Sequence, residues 1–233
     1  MGGRIVGRGA SRLCLRYSVP KIKSWVEKRG NRMVVGRRGR PQVSSRAQVE
    51  AAAFELFLER GYTETSIMDI VAAAGISRTT FFRYFPNKAA LVWSPFEEGT
   101  RDLQSALDTV DDDVPVMEAI RAGVFDSVVP RLDDEGLWRA QFRILDTSPE
   151  LRAEGAQRWL AWAEVVARFV ASRIGVRPTA VVPAGIGGAV QGAVLAALRD
   201  SVEVPAFGGD LLSVLDTSLV SLGRNLQKWI DEQ

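Results

Sequence analysis

Between residues 77 and 88 the chain reads SRTTFFRYFPNK, which gathers three aliphatic hydroxyls, two guanidiniums, a phenol and an ammonium without one carboxylate. Such a set suits an anionic partner. It donates hydrogen bonds to phosphate oxygens and to the edges of bases. The rest of the sequence narrows the chemistry further. There is no histidine, and the one cysteine is Cys14. That removes the commonest general base, the commonest metal ligand, any intrachain disulfide and any multi-thiolate zinc site. An enzyme would have to rest on carboxylates and arginines alone, so none is expected, and no cofactor. The stretch GIGG at 185–188 fails as a dinucleotide loop, because Val190 stands where the third glycine belongs and no strand signal precedes it. Asp111-Asp112-Asp113 reads as a solvated loop between helices rather than a metal site.

Donors read a nucleic acid only if something holds them clear of the body. The residues just upstream supply that support. Ile67, Ile70 and Val71 repeat at helical spacing, and Ser66 with Asp69 three places later forms a capping box, which predicts a helix over 66–74. Ala72-Ala73-Ala74 permits a close crossing. Gly75 can end the helix with a left-handed backbone, Ile76 can plug the corner, and Ser77 is placed to cap a second helix over 77–85. The arrangement is a helix-turn-helix, whose second helix enters the major groove. Phe81 and Phe85, four apart, anchor that helix to a core. Arg78, Thr79, Thr80, Phe82, Arg83 and Tyr84 are left pointing outward or sideways. Arg78 can fork onto guanine O6 and N7, while Thr79 and Phe82 can meet a thymine methyl. Ser66, Thr80, Tyr84 and Lys88 suit phosphate oxygens. Ser77 is a cap first and a DNA contact second.

Charge is distributed to match. Residues 1–40 carry twelve Lys and Arg against Glu27 alone, whereas 94–233 carry thirteen bases against twenty-two acids. A basic end on an acidic body fits a protein that touches nucleic acid at one end. The basic stretch has no sustained period and reads as a disordered arm. Within it Arg37, Arg38 and Arg40 can follow a minor groove. Two readings of residues 1–32 stay open, a working arm or a segment upstream of a start at Met33. Arg, Asp or Gly interrupts each apolar run, so no membrane span is expected and the compartment is read as cytoplasmic.

The fold class is all-α, in three parts: the arm at 1–40, a DNA-binding domain at 41–93 and a helical ligand-binding and dimerisation domain at 94–233. A first helix at 44–60 carries Val49, Ala53, Phe54, Phe57 and Leu58 as its apolar stripe. Beyond the helix-turn-helix, further helices are expected at 88–109, 114–131, 135–146, 149–175, 179–200 and 210–231. Pro115, Pro149 and Pro178 fall in first turns, and Pro183 is expected to kink its helix or reset its start. Trp138, Phe142, Trp159, Trp162, Val166 and Phe169 suit an apolar cavity for a small effector, with Gln141, Arg139 or Arg143 to orient a polar group. Small residues including Gly188, Gly192 and Ala196, with Leu215, Leu219, Leu222 and Leu226 on the last helix, suit a four-helix interface between two copies.

The run RAQVEAAAFELFLERGYTETSIMDIVAAAGISRTTFFRYFPNKAALV resembles the DNA-binding domain of the tetracycline-repressor (TetR) family, over about residues 44–93. The resemblance rests on the spaced T-S-x-x-D-I, A-G-I-S, F-F-x-Y-F and N-K features together. It implies a helical homodimer on double-stranded palindromic operator DNA, with a variable C-terminal ligand domain. Phe82 departs from the pattern, standing where the family very often has a tyrosine, so no hydroxyl is available there for a phosphate. Residues 94–233, through R-I-L-D-T-S-P-E-L, are similar to regulators of this type that bind acyl-CoA-like molecules. The implied function is a regulator, more often a repressor, released by an apolar or acyl-type effector. A regulator without a small-molecule ligand and a nonspecific architectural DNA binder remain as alternatives.

Overall fold

The structure, a computed structural model, describes residues 46–132, 137–203 and 211–233. These residues form α-helices joined by short turns, with no strand among them. Helix α1 spans Arg46–Arg60, α2 Ile67–Ala73, α3 Arg78–Tyr84 and α4 Lys88–Asp108. Then follow α5, Val116–Val128, extended by a 3₁₀ turn at Val129–Arg131, and α6, Leu137–Thr147. The chain ends with α7, Pro149–Ile174, α8, Val181–Glu203, and α9, Leu211–Asp231.

The local signals explain the short elements. Ser66 caps α2 by accepting from the Asp69 N–H at 3.2 Å, while the Asp69 carboxylate accepts from the Ser66 N–H at 2.8 Å. Both halves of the capping box are therefore made. These bonds hold the Asp69 carboxyl below its ordinary range. At the other end Gly75 takes φ +63°, and the N–H groups of Gly75 and Ile76 reach back to the carbonyls of Ala72 and Val71. That pair of bonds closes α2 with a Schellman turn, which a left-handed glycine makes cheap.

Pro149 opens α7, in the first turn as expected. Pro95 lies inside α4, as the expected helix over 88–109 requires, and it removes one ladder N–H from that helix. Pro183 is the third residue of α8, within the first turn, where its missing N–H costs no helical bond. The stretch Val181–Val202 of α8 is, by length and composition, apolar enough to cross a membrane, contrary to the expectation of none. Gly185, Gly187, Gly188 and Gly192 lie within the unbroken helix and do not end its apolar run. Only 39% of that stretch is buried within the chain.

The described residues group into two compact units, divided otherwise than at residue 94. One contains residues 46–98 together with Leu132–Arg158; the other contains Gly99–Arg131 and Trp159–Gln233. Helices α4 and α7 each contribute to both. In the first unit Phe54, Phe57, Tyr62, Ile70, Phe81, Phe85, Leu91 and Trp93 share one core with Ile144 of α6 and Leu151 of α7. This sharing explains why 132–158 belongs with the helix-turn-helix. Leu58, expected in the apolar stripe of α1, is instead 53% exposed.

In the second unit α9 packs on α5 and α8. Arg121 of α5 pairs with Asp216 of α9, its Nε donating to Oδ1 at 2.6 Å. Pro115 offers no side-chain cap to α5, and the Gln227 Oε1 of α9 accepts from the Met117 N–H at 3.0 Å instead. Arg173 of α7 ties the Asp111–Val114 loop, bonding Asp112 Oδ1 at 3.0 Å and the carbonyls of Asp111 and Val114. That triple aspartate is thus a turn that an arginine holds in place.

Helices α7 and α8 meet most tightly at Gly187. A Cβ built there would lie 2.5 Å from the Ala163 carbonyl oxygen, a backbone atom with little room to yield. Gly187→Ala should therefore destabilise the chain by about 1–3 kcal/mol, as overpacking does. The expected reading is a melting temperature lower by roughly 2–4 °C for each kcal/mol. An unchanged midpoint would refute the close crossing.

Candidate nucleic-acid interface

Helix α3 presents the donor cluster, and two opposed faces make this possible. On the inner face Phe81 and Phe85 are 0% and 1% exposed. Their rings lie 5.7 Å apart, and the guanidinium of Arg46 covers Phe85 at 4.9 Å from its centroid. On the outer face Ser77, Arg78, Thr79, Phe82 and Arg83 are exposed, with Thr80 and Tyr84 half-buried. Ser77 caps the helix, its hydroxyl accepting from the Thr80 N–H at 3.1 Å and sharing a 2.9 Å bond with the Thr80 hydroxyl. The cap fixes the Thr80 side chain at the start of the helix, beside its unpaired N–H groups. Helix starts of this kind favour phosphate.

The two arginines of α3 are each laid over an aromatic ring. Arg78 covers Phe82 at 5.4 Å from its centroid, and Arg83 covers Tyr84 at 5.0 Å while donating to its hydroxyl at 3.3 Å. Phe82 in turn meets the buried Phe81 edge-on at 5.5 Å, and Tyr84 meets Phe85 at 6.4 Å. The outward donors thus rest on rings that are themselves set against core phenylalanines.

Lys88 is placed otherwise than expected. Its ammonium donates to the carbonyls of Tyr62 at 2.7 Å and Thr65 at 3.0 Å, and sits 4.0 Å from the Tyr62 ring centroid. The lysine clamps the turn between α1 and α2 to the start of α4. Its burial lowers its affinity for a proton, against the opposing pull of Glu150 and Glu64. Burial, with Glu154 and Glu150 beside it, pushes the Tyr62 phenol up to about 12. Ser66 is exposed, but its hydroxyl donates to Asp69 at 2.5 Å and is taken up by the capping box. Arg37, Arg38 and Arg40 lie outside the described residues.

Sequence reasoning passed over Arg46. It pairs with Glu50 at 3.2 Å and Glu98 at 3.7 Å, and bonds Ser94, besides covering Phe85. The Arg46–Glu50 spacing of four was a visible signal. The partners on α4 were not, since only the fold brings them near.

The residues assigned to an effector cavity do not assemble in one unit. Trp138, Gln141, Phe142 and Arg143 fall in the unit with the helix-turn-helix, whereas Trp159, Trp162 and Val166 fall in the other. Arg143 is exposed; Val166 and Trp162 are buried in the core. Trp159 and Trp162 make an edge contact at 6.2 Å, and Arg139 covers Trp138 at 5.1 Å. The interface residues divide as well. Leu215 and Leu219 are 0% and 2% exposed inside their own chain, so they have no surface left for a second copy. The reason is that α9 turns them toward α5 and α8. Leu222 and Leu226 are half-buried, while Gly188, Gly192 and Ala196 are exposed. A Cβ at Gly188 or Gly192 would meet nothing within 4 Å.

Comparisons with known proteins agree with this geometry. Residues 51–93 match the family described as bacterial regulatory proteins, tetR family, and residues 114–227 match the MftR C-terminal domain. MftR of Mycobacterium tuberculosis, a transcriptional regulator named for mycofactocin biosynthesis, is 32% identical over 191 residues, covering 80% of this chain and 96% of that protein. Among solved structures, SmeT, the repressor of the Stenotrophomonas maltophilia multidrug efflux pump SmeDEF, is 26% identical with a TM-score of 0.54. The match covers 77% of this chain and 90% of SmeT. A TetR-family regulator from Syntrophomonas wolfei shares the fold at 20% identity and a TM-score of 0.60, over 78% of this chain and 94% of the other. The relatives are transcriptional regulators and not enzymes, and the chain belongs to the tetR family of bacterial regulatory proteins.

Proposed function

We propose that this regulator is a repressor that binds a palindromic operator as a homodimer in the bacterial cytoplasm and leaves it when a small apolar or acyl-type effector binds. The observation that carries the DNA reading is the two-sided α3, with Phe81 and Phe85 buried and Ser77, Arg78, Thr79, Phe82 and Arg83 exposed. In this reading Arg78 forks onto a guanine, Thr79 and Phe82 meet methyl groups, and Ser77, Thr80, Arg83 and Tyr84 hold phosphates. Ser66 would reach a phosphate only by leaving its cap, and Lys88 only with a proton not given to Tyr62 or Thr65. Arg37, Arg38 and Arg40 would track the adjacent minor groove.

The dimer reading rests on α8. Val181, Ala184, Gly185, Gly188, Gly192 and Ala196 form an exposed row at three- and four-residue spacing along an apolar helix. The ring of Trp229 from α9 lies against Gly185, within 3.0 Å of where a Cβ would be. Trp229 is half-buried, as are Val214, Ser218 and Leu222 at four- and seven-residue spacing along α9. Two such surfaces can pack closely about a two-fold axis, which palindromic DNA would mirror. The repressor sense is supported by SmeT, named as a repressor at 26% identity. The effector reading is supported, within one unit, by the edge contact of Trp159 with Trp162, an aromatic pair of the kind that takes the apolar part of a ligand.

Three measurements test this reading. Arg78→Ala should weaken binding to a selected operator by about 1–3 kcal/mol and relax one base position, with little effect on random DNA. Equal losses on both would end the base-reading role. Gly192→Glu should leave the helical content unchanged, since a side chain there meets nothing in its own chain. It should yield monomers by sedimentation and lower operator affinity by about tenfold or more, as expected when two half-sites are no longer linked. A Gly192→Glu dimer would refute the α8 surface. Fatty acyl-CoAs and apolar small molecules should raise the melting temperature, by roughly 2.7 kcal/mol of stabilisation at a hundred times Kd. No stabilisation across the set would favour a regulator without such a ligand.

A further inference from the structure

Phe82 stands on the outer face of α3 with no hydroxyl to offer a phosphate. What the ring does instead is visible in its surroundings. Phe82 is 40% exposed, so it is not needed to fill the core that Phe81 and Phe85 already close. It nevertheless keeps a contact with that core: its ring stands at 90° to that of Phe81, with centroids 5.5 Å apart. Four residues earlier, Arg78 sets its guanidinium over that ring, 5.4 Å from its centroid.

Stacking uses the face of a guanidinium and leaves its in-plane N–H groups pointing outward. An arginine ordered in this way loses less freedom when it forks onto a guanine. Arg83 is a contrast, because its stack on Tyr84 also takes up an N–H in a bond to the phenol oxygen. In the major groove a thymine methyl projects beside the O6 and N7 of a neighbouring guanine. A guanidinium forked onto that guanine, with an apolar ring beside it, offers the methyl a dry contact on two sides.

We propose that Phe82 is a specificity-determining residue, which orders Arg78 and joins it in reading a thymine–guanine step as one unit. The inference rests on the major-groove reading of α3 given above. Burying one methyl is worth about fourfold in affinity. Neither partner alone gives the linkage: the ring sets the arginine, and the arginine sets which base pair the ring meets.

The test uses the full chain and a duplex selected by it from random sequence. Each thymine of that duplex is replaced singly by deoxyuridine, and each guanine singly by 7-deazaguanine, which lacks the N7 acceptor. Wild-type protein should lose about three- to fivefold affinity on one thymine-to-uracil change per half-site. That thymine should adjoin a guanine whose 7-deaza change is felt only while Arg78 is present. Phe82→Ala should erase the uracil effect and reduce the 7-deazaguanine effect together. Phe82→Tyr, which keeps the ring, should retain both. Circular dichroism checks that each variant is folded, and the exposure of Phe82 makes that the expected result. Loss of methyl dependence with the guanine effect intact would overturn the proposal while leaving the DNA reading standing. Retention of methyl dependence in folded Phe82→Ala would overturn it too. Failure to select any sequence, or indifference to Arg78→Ala, would instead sink the major-groove reading itself.

Discussion

A helix of seven residues is too short to persist in water unless something holds it, because nucleation costs more than so few hydrogen bonds return. Everything that α3 does depends on its being clamped at Phe81 and Phe85. The clamp is assembled from several directions. Ser77 satisfies its first turn, the Schellman end of α2 fixes its entry angle, and Arg46 closes over Phe85 from the start of α1. Lys88 then ties the far side of the same unit by bonding the carbonyls of Tyr62 and Thr65. Apart from the Ser77 cap, the exposed face carries little of this stability. Rigid presentation and variable chemistry are thereby separated between two sides of one short rod.

The helix-turn-helix was the most legible part of the chain because its determinants are local. A capping box, a left-handed glycine and an N-cap serine act within four residues of themselves, so sequence order exposes them. Long-range partners were not legible in the same way. Lys88 looked like a surface cation because nothing near it in sequence announces the carbonyls of Tyr62 and Thr65. Leu215 and Leu219 looked like interface residues because a leucine stripe does not say which neighbour covers it. The α9 stripe meets α5 and α8, and only the half-buried flank is left over. Residues 137–158 read as part of the distal domain for a similar reason. Ile144 and Leu151 have no local mark that assigns them to the core of Phe54 and Phe81.

That assignment bears on how an effector could act. Helices α4 and α7 are continuous from one unit into the other. Pro95 gives α4 one position without a ladder hydrogen bond, three residues before the unit boundary at Glu98. Helices bend at such positions. An effector changes operator affinity only through its unequal affinity for the two arrangements, however tightly it binds. Helix α6 packs on α1 within the unit that holds the helix-turn-helix.

Helix α8 poses the sharpest question of environment, since its composition would suit a bilayer. Its burial pattern argues for another helix instead. A helix facing lipid gains most from large apolar side chains on its outer surface, whereas the exposed row here is chiefly glycine and alanine. Small residues give lipid little to pack against but bring a second backbone close, where dispersion contacts are many. The row also lies beside a helix that carries Ser213, Thr217, Ser221, Arg224 and Lys228 on its own exposed side. A lipid surface would strand those polar groups. A helix from a second copy, crossing at Gly188 and Gly192, would cover the row and leave them in water.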